Sequence, residues 1–365
     1  MVRLATISDL DALVDLEASC FHSDRLSRRN FRYMLTRANG SILVEEDDHT
    51  VRGYVLLLFS RGTAMARLYS IAVGSLARKQ GVGEVLVKAA EVAARERGAA
   101  CLRLEIRKDN RASLSLFNRL GYKKFGEFAS YYEDHMDALR LEKTLTPDLN
   151  LDLLRVPFYE QTLDFTCGPS ALMMAMKALH PELTLNRKLE LRIWREATTI
   201  FMTSGHGGCG PYGLALSAWH RGFGVEIYVK AEETFLLNSV RSAEKKEVVR
   251  LVQEDMIEEI HSLDIPIIQG SLTVPEIREK FEKGSIPVIF ISSYRIYGEK
   301  FPHWVVVVGF DDHFVYVHDP YVDYENEETP TDSISMPILH WEFGCMARYG
   351  RAGLAAVLMI SRREG

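Results

Sequence analysis

The chain has 365 residues, 47% hydrophobic and 26% charged, with a formal net charge of −6 from 44 Lys and Arg against 50 Asp and Glu. That length suits two domains, each long enough to bury its own core. The acidic balance argues against a nucleic-acid coat or a polybasic membrane anchor. The five cysteines, Cys20, Cys101, Cys167, Cys209 and Cys345, are odd in number, widely spread and without a C-x-x-C pair. They make poor material for a disulfide framework or a thiolate zinc site, which leaves buried thiols or one nucleophile. No segment reads as a signal peptide or membrane helix, so a soluble cytoplasmic protein with no resident metal is expected.

In chain order, the spacing predicts a helix over 8–19 capped by Ser8 or Asp9, then strands over 41–45, 51–60 and 67–73. A strongly amphipathic helix over 83–98 follows, closed by Gly98. A strand over 101–107, a helix over 110–120 ending at Gly121, and strands near 125–131 and 137–142 complete the region. This is an α/β pattern with a mixed sheet. Pro147 and polar neighbours within 142–155 mark a boundary, read as a linker over 146–155 between domains at 1–145 and 156–365.

The second region starts at 156–159 and carries predicted helices over 168–180, 189–195, 212–220, 240–261 and 274–283. Predicted strands cover 225–230, 286–292, 304–310, 314–318 and 354–360. That order is α+β with an antiparallel sheet.

Two constellations carry chemistry. In the first, the strand ending at Ile71-Ala72-Val73 leads through Arg78-Lys79-Gln80-Gly81-Val82-Gly83 into a helix. Glycines allow close backbone approach, and a helix N-terminus offers free N–H groups and positive dipole to a phosphate. Arg78 and Lys79 add charge there. A plain strand-to-helix turn would need the glycines too. The run Arg78-x-x-Gly81-x-Gly83, with Glu105-Ile106-Arg107, Asn110 and Leu116 to Tyr122, resembles GNAT superfamily N-acetyltransferases, closest to ribosomal-protein alanine acetyltransferases of the RimI type. The resemblance covers about 2–144. It implies acetyl transfer from acetyl-CoA to an amine. It also implies pyrophosphate held by backbone N–H groups of Gln80, Gly81, Val82 and Gly83, and pantetheine along Ile71 and Val73 and against Asn110. It makes Glu105 the general base. The family's tyrosine acid corresponds to Phe117, which has no proton to donate. Tyr131 or Tyr132 would have to replace it.

In the second, Cys167 stands before an apolar helix, where the dipole stabilises a thiolate. Gly168 and Pro169 suit a sharp helix entry. Gln161, six residues upstream, could reach an oxyanion. His303 opens an apolar strand and Asp319-Pro320 closes the next, so an Asp could orient an imidazole that serves the thiol. Strand parity tests this. With a two-residue turn at Asp311-Asp312, positions summing to 623 pair, and His303 and Asp319 face opposite ways. An odd turn or one bulge makes the sum 624, sets Asp319 opposite Val305, and puts it on the face of His303. The rivals are Cys209-Gly210-Pro211, which lacks the upstream glutamine, and His313 or His318. The run 205–208 reads as a Gly-rich loop that could line a cleft.

Gln161, Cys167-Gly168-Pro169-Ser170, His303-Trp304 and Asp319-Pro320 resemble papain-like cysteine peptidases, specifically the bacteriocin-processing peptidases that cut after a double glycine. The resemblance covers about 155–320 and extends at most to 361. It implies Cys167 as nucleophile, His303 as base, Asp319 as orienter and Gln161 as oxyanion donor. Those peptidases are commonly fused to membrane transporters, and this chain carries none. The joint expectation is a bifunctional enzyme that binds acetyl-CoA and a peptide or protein substrate, and no nucleic acid. Cleavage would create an amine for the first domain; cleaved products that never gain acetyl would exclude that order. The alternatives are an acetyl-CoA-binding sensor that regulates the peptidase, or a transferase or deamidase on the papain-like scaffold.

Overall fold

The computed structural model describes residues 1–145, 156–198, 207–231, 234–237, 240, 242–324, 328 and 330–363. The expected linker lies outside them, as do Gly205 and His206. The chain divides into two compact units, Met1–Leu149 and Asn150–Gly365.

The first unit runs β1 (Val2–Leu4), α1 (Leu10–Cys20), α2 (Arg28–Thr36), β2 (Gly40–Asp47), β3 (Thr50–Phe59), β4 (Met65–Val73), α3 (Val82–Glu96), β5 (Cys101–Arg107), α4 (Arg111–Arg119), β6 (Lys123–Phe128) and β7 (Ala138–Thr144). Its sheet has the order β1-β2-β3-β4-β5-β7-β6, with β4–β5 the parallel pair and the others antiparallel. Strand β3 reads apolar from Tyr54 to Phe59 because both its faces are covered there. Val55 and Leu57 join a core with Leu86, Leu104 and Phe117 on one side. Tyr54 and Leu56 join Leu13 and Phe31 on the other. Gly98 (φ +80°) and Gly121 (φ +89°) follow the ends of α3 and α4 in the left-handed conformation that glycine tolerates.

The first helix begins differently from expectation. Thr6 and Asp9 form a capping box over a short 3-10 turn before α1. The Asp9 carboxylate reaches back to the Thr6 N–H (2.7 Å) and to Arg3 (2.8 and 2.9 Å), leaving the α1 N-terminus without a side-chain cap.

The second unit runs α5 (Cys167–Leu179), α6 (Arg187–Ala197), α7 (Pro211–Trp219), β8 (Phe223–Lys230), α8 (Ala243–Ser262), β9 (Ile267–Gln269), α9 (Val274–Glu282), β10 (Ile286–Ser292), α10 (Tyr294–Tyr297), β11 (Pro302–Phe310), β12 (Phe314–His318), β13 (Met336–Leu339), α11 (His340–Met346) and β14 (Ala355–Arg362). The sheet order is β13-β12-β11-β10-β14-β8-β9, antiparallel except for β8–β9. Helix α5 is buried all round from Cys167 to Met176. A helix apolar on every face belongs in a core, and α5 packs against β11, α6 and α7.

Six short elements escape the sequence reading: β1, α2, β9, α10, β13 and α11. Helix α2 (RRNFRYMLT) is nine residues long, and its stripe of Phe31, Met34 and Leu35 covers too few turns to stand out among its arginines. No described helix is long and apolar enough to cross a membrane.

Two candidate active sites

In the second unit, Cys167 is the first residue of α5 and is 9% exposed. His303 lies on β11 and Asp319 directly follows β12. Their hairpin decides whether they meet. Phe310 pairs with Val315 and the Asp311 N–H donates to the Phe314 carbonyl (3.0 Å), so the turn is even and centred on Asp312-His313, one residue later than expected. One extra residue, Val308, is inserted in β11, so the register changes and Val306 pairs with His318 and Val307 with Val317. The bulge supplies the odd step that an even turn lacks. His303 Nε2 then lies 2.6 Å from Asp319 Oδ1, with both residues buried. Trp304 points to the opposite face and donates from Nε1 to the Cys209 carbonyl (3.1 Å).

Electrostatics at this pair run against burial. Desolvation alone would lower the His303 pKa. The Asp319 charge, the Cys167 charge and hydrogen bonds to both side chains overcome it and hold the pKa up to about 10. His303 therefore carries its proton at neutral pH and bridges Cys167 and Asp319. Asp319 has two further donors: Tyr297 Oη donates to Oδ2 (2.9 Å) and the Tyr321 N–H to Oδ1 (2.9 Å).

Gln161 is anchored beside this pair. Its N–H donates to the Pro320 carbonyl (2.9 Å), joining it to the residue after Asp319. Its Nε2 donates to the Leu163 carbonyl (3.0 Å), and its Oε1 is buried without a partner. Nε2 carries a second N–H besides the one that Leu163 takes.

The rivals separate on geometry. Burial pushes the Cys209 thiol well up, and the nearby Cys167 charge adds to that. His318 donates from Nε2 to the Val156 carbonyl and accepts from the Ser335 N–H (2.9 Å each). Burial pulls its pKa down to about 4, which keeps it neutral and structural. His313 is exposed. Of the Gly-rich run, the Gly207 carbonyl accepts from Trp194 Nε1 (2.8 Å).

In the first unit, the sheet opens where the glycine turn sits. Strands β4 and β5 pair only over Met65–Arg67 and Cys101–Arg103. Beyond that point Ile71 and Val73 keep β3 on one side, with Val55 and Gly53 as partners. Their other edge lies in the gap beyond the last β4–β5 pair, where a ligand could pair in strand fashion, although the Val73 carbonyl already accepts from Cys20 Sγ (3.4 Å). Tyr69 is an extra residue in β4, bulged opposite β3 just before this gap.

At the gap, Lys79 (φ +63°) and Gly81 (φ +82°) turn the chain into α3. The first N–H groups of α3 have no intrahelical partner, and a Cβ built on Gly81 would meet nothing within 4 Å. Open space, free donors and helix dipole together fit a pyrophosphate. The Arg78 Nε donates to the Val73 carbonyl (3.2 Å), Gln80 Nε2 to the Leu76 carbonyl (2.8 Å), and Asn110 Oδ1 caps α4 by accepting from the Ser113 N–H (3.1 Å). Side chains of all three therefore hold the local backbone. An L-residue at the Gly81 conformation costs about 1–2 kcal/mol. If this turn holds the pyrophosphate of acetyl-CoA, Gly81→Ala should relax the turn in the free protein and weaken binding of that ligand roughly tenfold by calorimetry; an unchanged Kd would remove the turn from the site.

Glu105 has neighbours that sequence alone does not reveal. Its carboxylate accepts from Arg67 Nε (2.8 Å) and Arg140 Nε (3.0 Å), and Arg140 is 0% exposed. Arg67 also donates to Tyr131 Oη (2.7 Å). Phe117 is 1% exposed and packs edge-on against Tyr122, with ring centroids 5.0 Å apart. Among the described residues no group of His, Cys, Asp and Glu could hold a metal ion. Tyr297, Arg67 and Arg140 were missed because nothing in their local sequence announces a partner so far along the chain.

Comparison with known proteins agrees with both halves. Residues 156–361 match the Peptidase_C39 like family, and residues 10–122 match the acetyltransferase (GNAT) family. Over 151 residues the chain is 31% identical to the N-terminal acetyltransferase complex ARD1 subunit homolog of Dictyostelium discoideum, covering 40% of this chain and 74% of that protein. Over 145 residues it is 29% identical to a Bacillus subtilis protein assigned as a ribosomal protein bS18-alanine N-acetyltransferase, covering 40% of this chain and 95% of that protein. Among solved structures, it is similar to the ribosomal-protein-S18-alanine N-acetyltransferase from Escherichia coli, with 22% identity and a TM-score of 0.38, covering 41% of this chain and 97% of that one.

Proposed function

We propose that this chain, which belongs to the Peptidase_C39 like family through residues 156–361 and to the acetyltransferase (GNAT) family through residues 10–122, hydrolyses a peptide bond with its second unit and transfers acetyl from acetyl-CoA to an amine with its first. The observation that carries the peptidase reading is the contact of His303 Nε2 with Asp319 Oδ1 at 2.6 Å, on an imidazole that also partners Cys167. In this reading Cys167 Sγ attacks the scissile carbonyl and the C–N bond breaks. His303 gives its proton to the departing amine, then takes one from the water that releases the acid. Gln161 and the N-terminal N–H groups of α5 stabilise the oxyanion. Glycine at 168 suits the crowding there, since an added Cβ would lie 3.1 Å from Leu214, 3.2 Å from Trp304 and 3.4 Å from Cys209.

A thiol-reactive peptide probe tests the assignment. Cys167→Ala is expected to abolish labelling and Cys209→Ala to leave it. Loss of labelling only in Cys209→Ala would reverse the two cysteines.

One observation favours a second reading of the first unit, binding without efficient transfer. Glu105 is engaged by two arginines, and Phe117 stands in the core where the family's tyrosine acid would be. Under that reading acetyl-CoA occupies the β4–β5 gap as a signal. Strong acetylation of a peptide amine by the unaltered chain would remove it.

A further inference from the structure

Helix α6 carries Glu190, a glutamate that is 0% exposed. Its carboxylate sits among neutral donors from the segment that leads to the nucleophile. Oε1 accepts from the Thr162 N–H (2.8 Å), from Thr166 Oγ1 and from Ser170 Oγ (3.5 Å). Oε2 accepts from Thr162 Oγ1 (2.8 Å) and Tyr159 Oη (3.0 Å). A buried carboxylate is costly, and donors of this number are what make it tolerable. The α5 N-terminus, formed by Thr166 to Ser170, adds a favourable dipole.

These contacts bracket Gln161. The Thr162 N–H is fixed by Glu190, and the Gln161 N–H by the Pro320 carbonyl. Thr166, the residue before Cys167, holds the turn from the other end, since the Leu163 N–H donates to its Oγ1 (3.3 Å). We infer that Glu190 is a positioning residue of the peptidase: it holds the 159–166 segment so that the Gln161 amide faces the carbonyl attacked by Cys167. This rests on the thiol-hydrolase reading given above. Glu190 touches no reacting atom and acts through Gln161.

Two reagents separate positioning from general support of the fold. p-Nitrophenyl acetate acylates the thiol: the Sγ–C bond forms through an oxyanion, the aryl C–O bond breaks, and p-nitrophenolate leaves with the electron pair. Iodoacetamide forms its Sγ–C bond with loss of iodide and passes through no oxyanion. In the full chain, Glu190→Gln is expected to slow the p-nitrophenolate burst by about tenfold to a hundredfold, the scale of a misplaced oxyanion donor. Alkylation of Cys167 should change by less than about threefold. In a Gln161→Ala background the same substitution should have little further effect, the non-additivity of residues that act as one unit. Thr162→Val, which removes one donor to Glu190 and keeps the carboxylate, should move the burst the same way by less, and it stands in if Glu190→Gln does not fold. Equal loss of burst and alkylation would overturn the inference. So would an unchanged burst in Glu190→Gln when Gln161→Ala is slow. An unchanged burst in Gln161→Ala itself would remove the oxyanion reading and this inference with it.

Discussion

Asp319→Asn is expected to lower peptide hydrolysis by about 10⁴-fold while leaving the hairpin folded, the scale of an imidazole held in the wrong tautomer. In the proposed triad the carboxylate accepts the Nε2 proton of His303 at 2.6 Å, which leaves Nδ1 for the thiol. An asparagine amide can donate to Nε2 instead, which moves the imidazole proton to the nitrogen that must take one. The pH dependence gives a second readout. Burial lowers the His303 pKa, the Asp319 charge is foremost among the influences that raise it, and the outcome is about 10. The alkaline limb of kcat/KM, which reports loss of the imidazolium proton, should therefore sit near pH 10 and move down in Asp319→Asn. Stability follows the same sign. A pKa raised from 6.5 to about 10 contributes stability that is complete below about pH 6.5 and lost as pH rises through 10. Urea unfolding of the second unit should weaken between those limits, and Asp319→Asn should flatten that slope. A variant within tenfold of the parent rate, or an unmoved alkaline limb, would detach Asp319 from the imidazole's role.

The helices and strands that were legible in sequence are those with strong periodicity and glycine punctuation. The strands over 101–107 and 286–292 coincide with β5 and β10, and the glycines after α3 and α4 mark real ends. Short elements were not legible because three to nine residues hold too few turns or alternations to establish a period. The candidate triad was legible as a condition. Parity required an odd turn or a bulge, and the chain uses a bulge at Val308, a choice that the valine run at 305–308 does not announce. Contacts across distant segments stayed hidden for a simple reason. Tyr297 reaches Asp319 from a one-turn helix, and Glu190 reads like any surface glutamate on an amphipathic helix. Only the burial of α6 against the α5 entry turns it into a buried anion. The β4–β5 gap is likewise a property of pairing, invisible in either strand alone.

Glu105→Gln is expected to destabilise the first unit by about 3–5 kcal/mol, the cost of removing one partner from a buried ion pair. Two guanidinium groups, one of them on the fully buried Arg140, would lose the carboxylate that holds both Nε atoms. At the size of this unit the midpoint should fall by roughly 10 °C. Loss of acetyl transfer in that variant alone would therefore say nothing about a general base, because part of the protein would be unfolded at the assay temperature. The informative variant is Glu105→Gln with Arg140→Met. Removing both charges leaves no unpaired buried cation at position 140: Phe125 and Phe128, which now stack on the Arg140 guanidinium, would flank the methionine, and the introduced carboxamide oxygen can still accept from Arg67 Nε. That double variant should recover most of the lost midpoint. If it folds and binds acetyl-CoA but transfers acetyl to a peptide amine at least a hundredfold more slowly than the parent, Glu105 takes the proton, since a positioned base contributes about 10²–10⁴-fold. If it transfers at the parent rate, the carboxylate serves the sheet, and the base lies elsewhere along the gap.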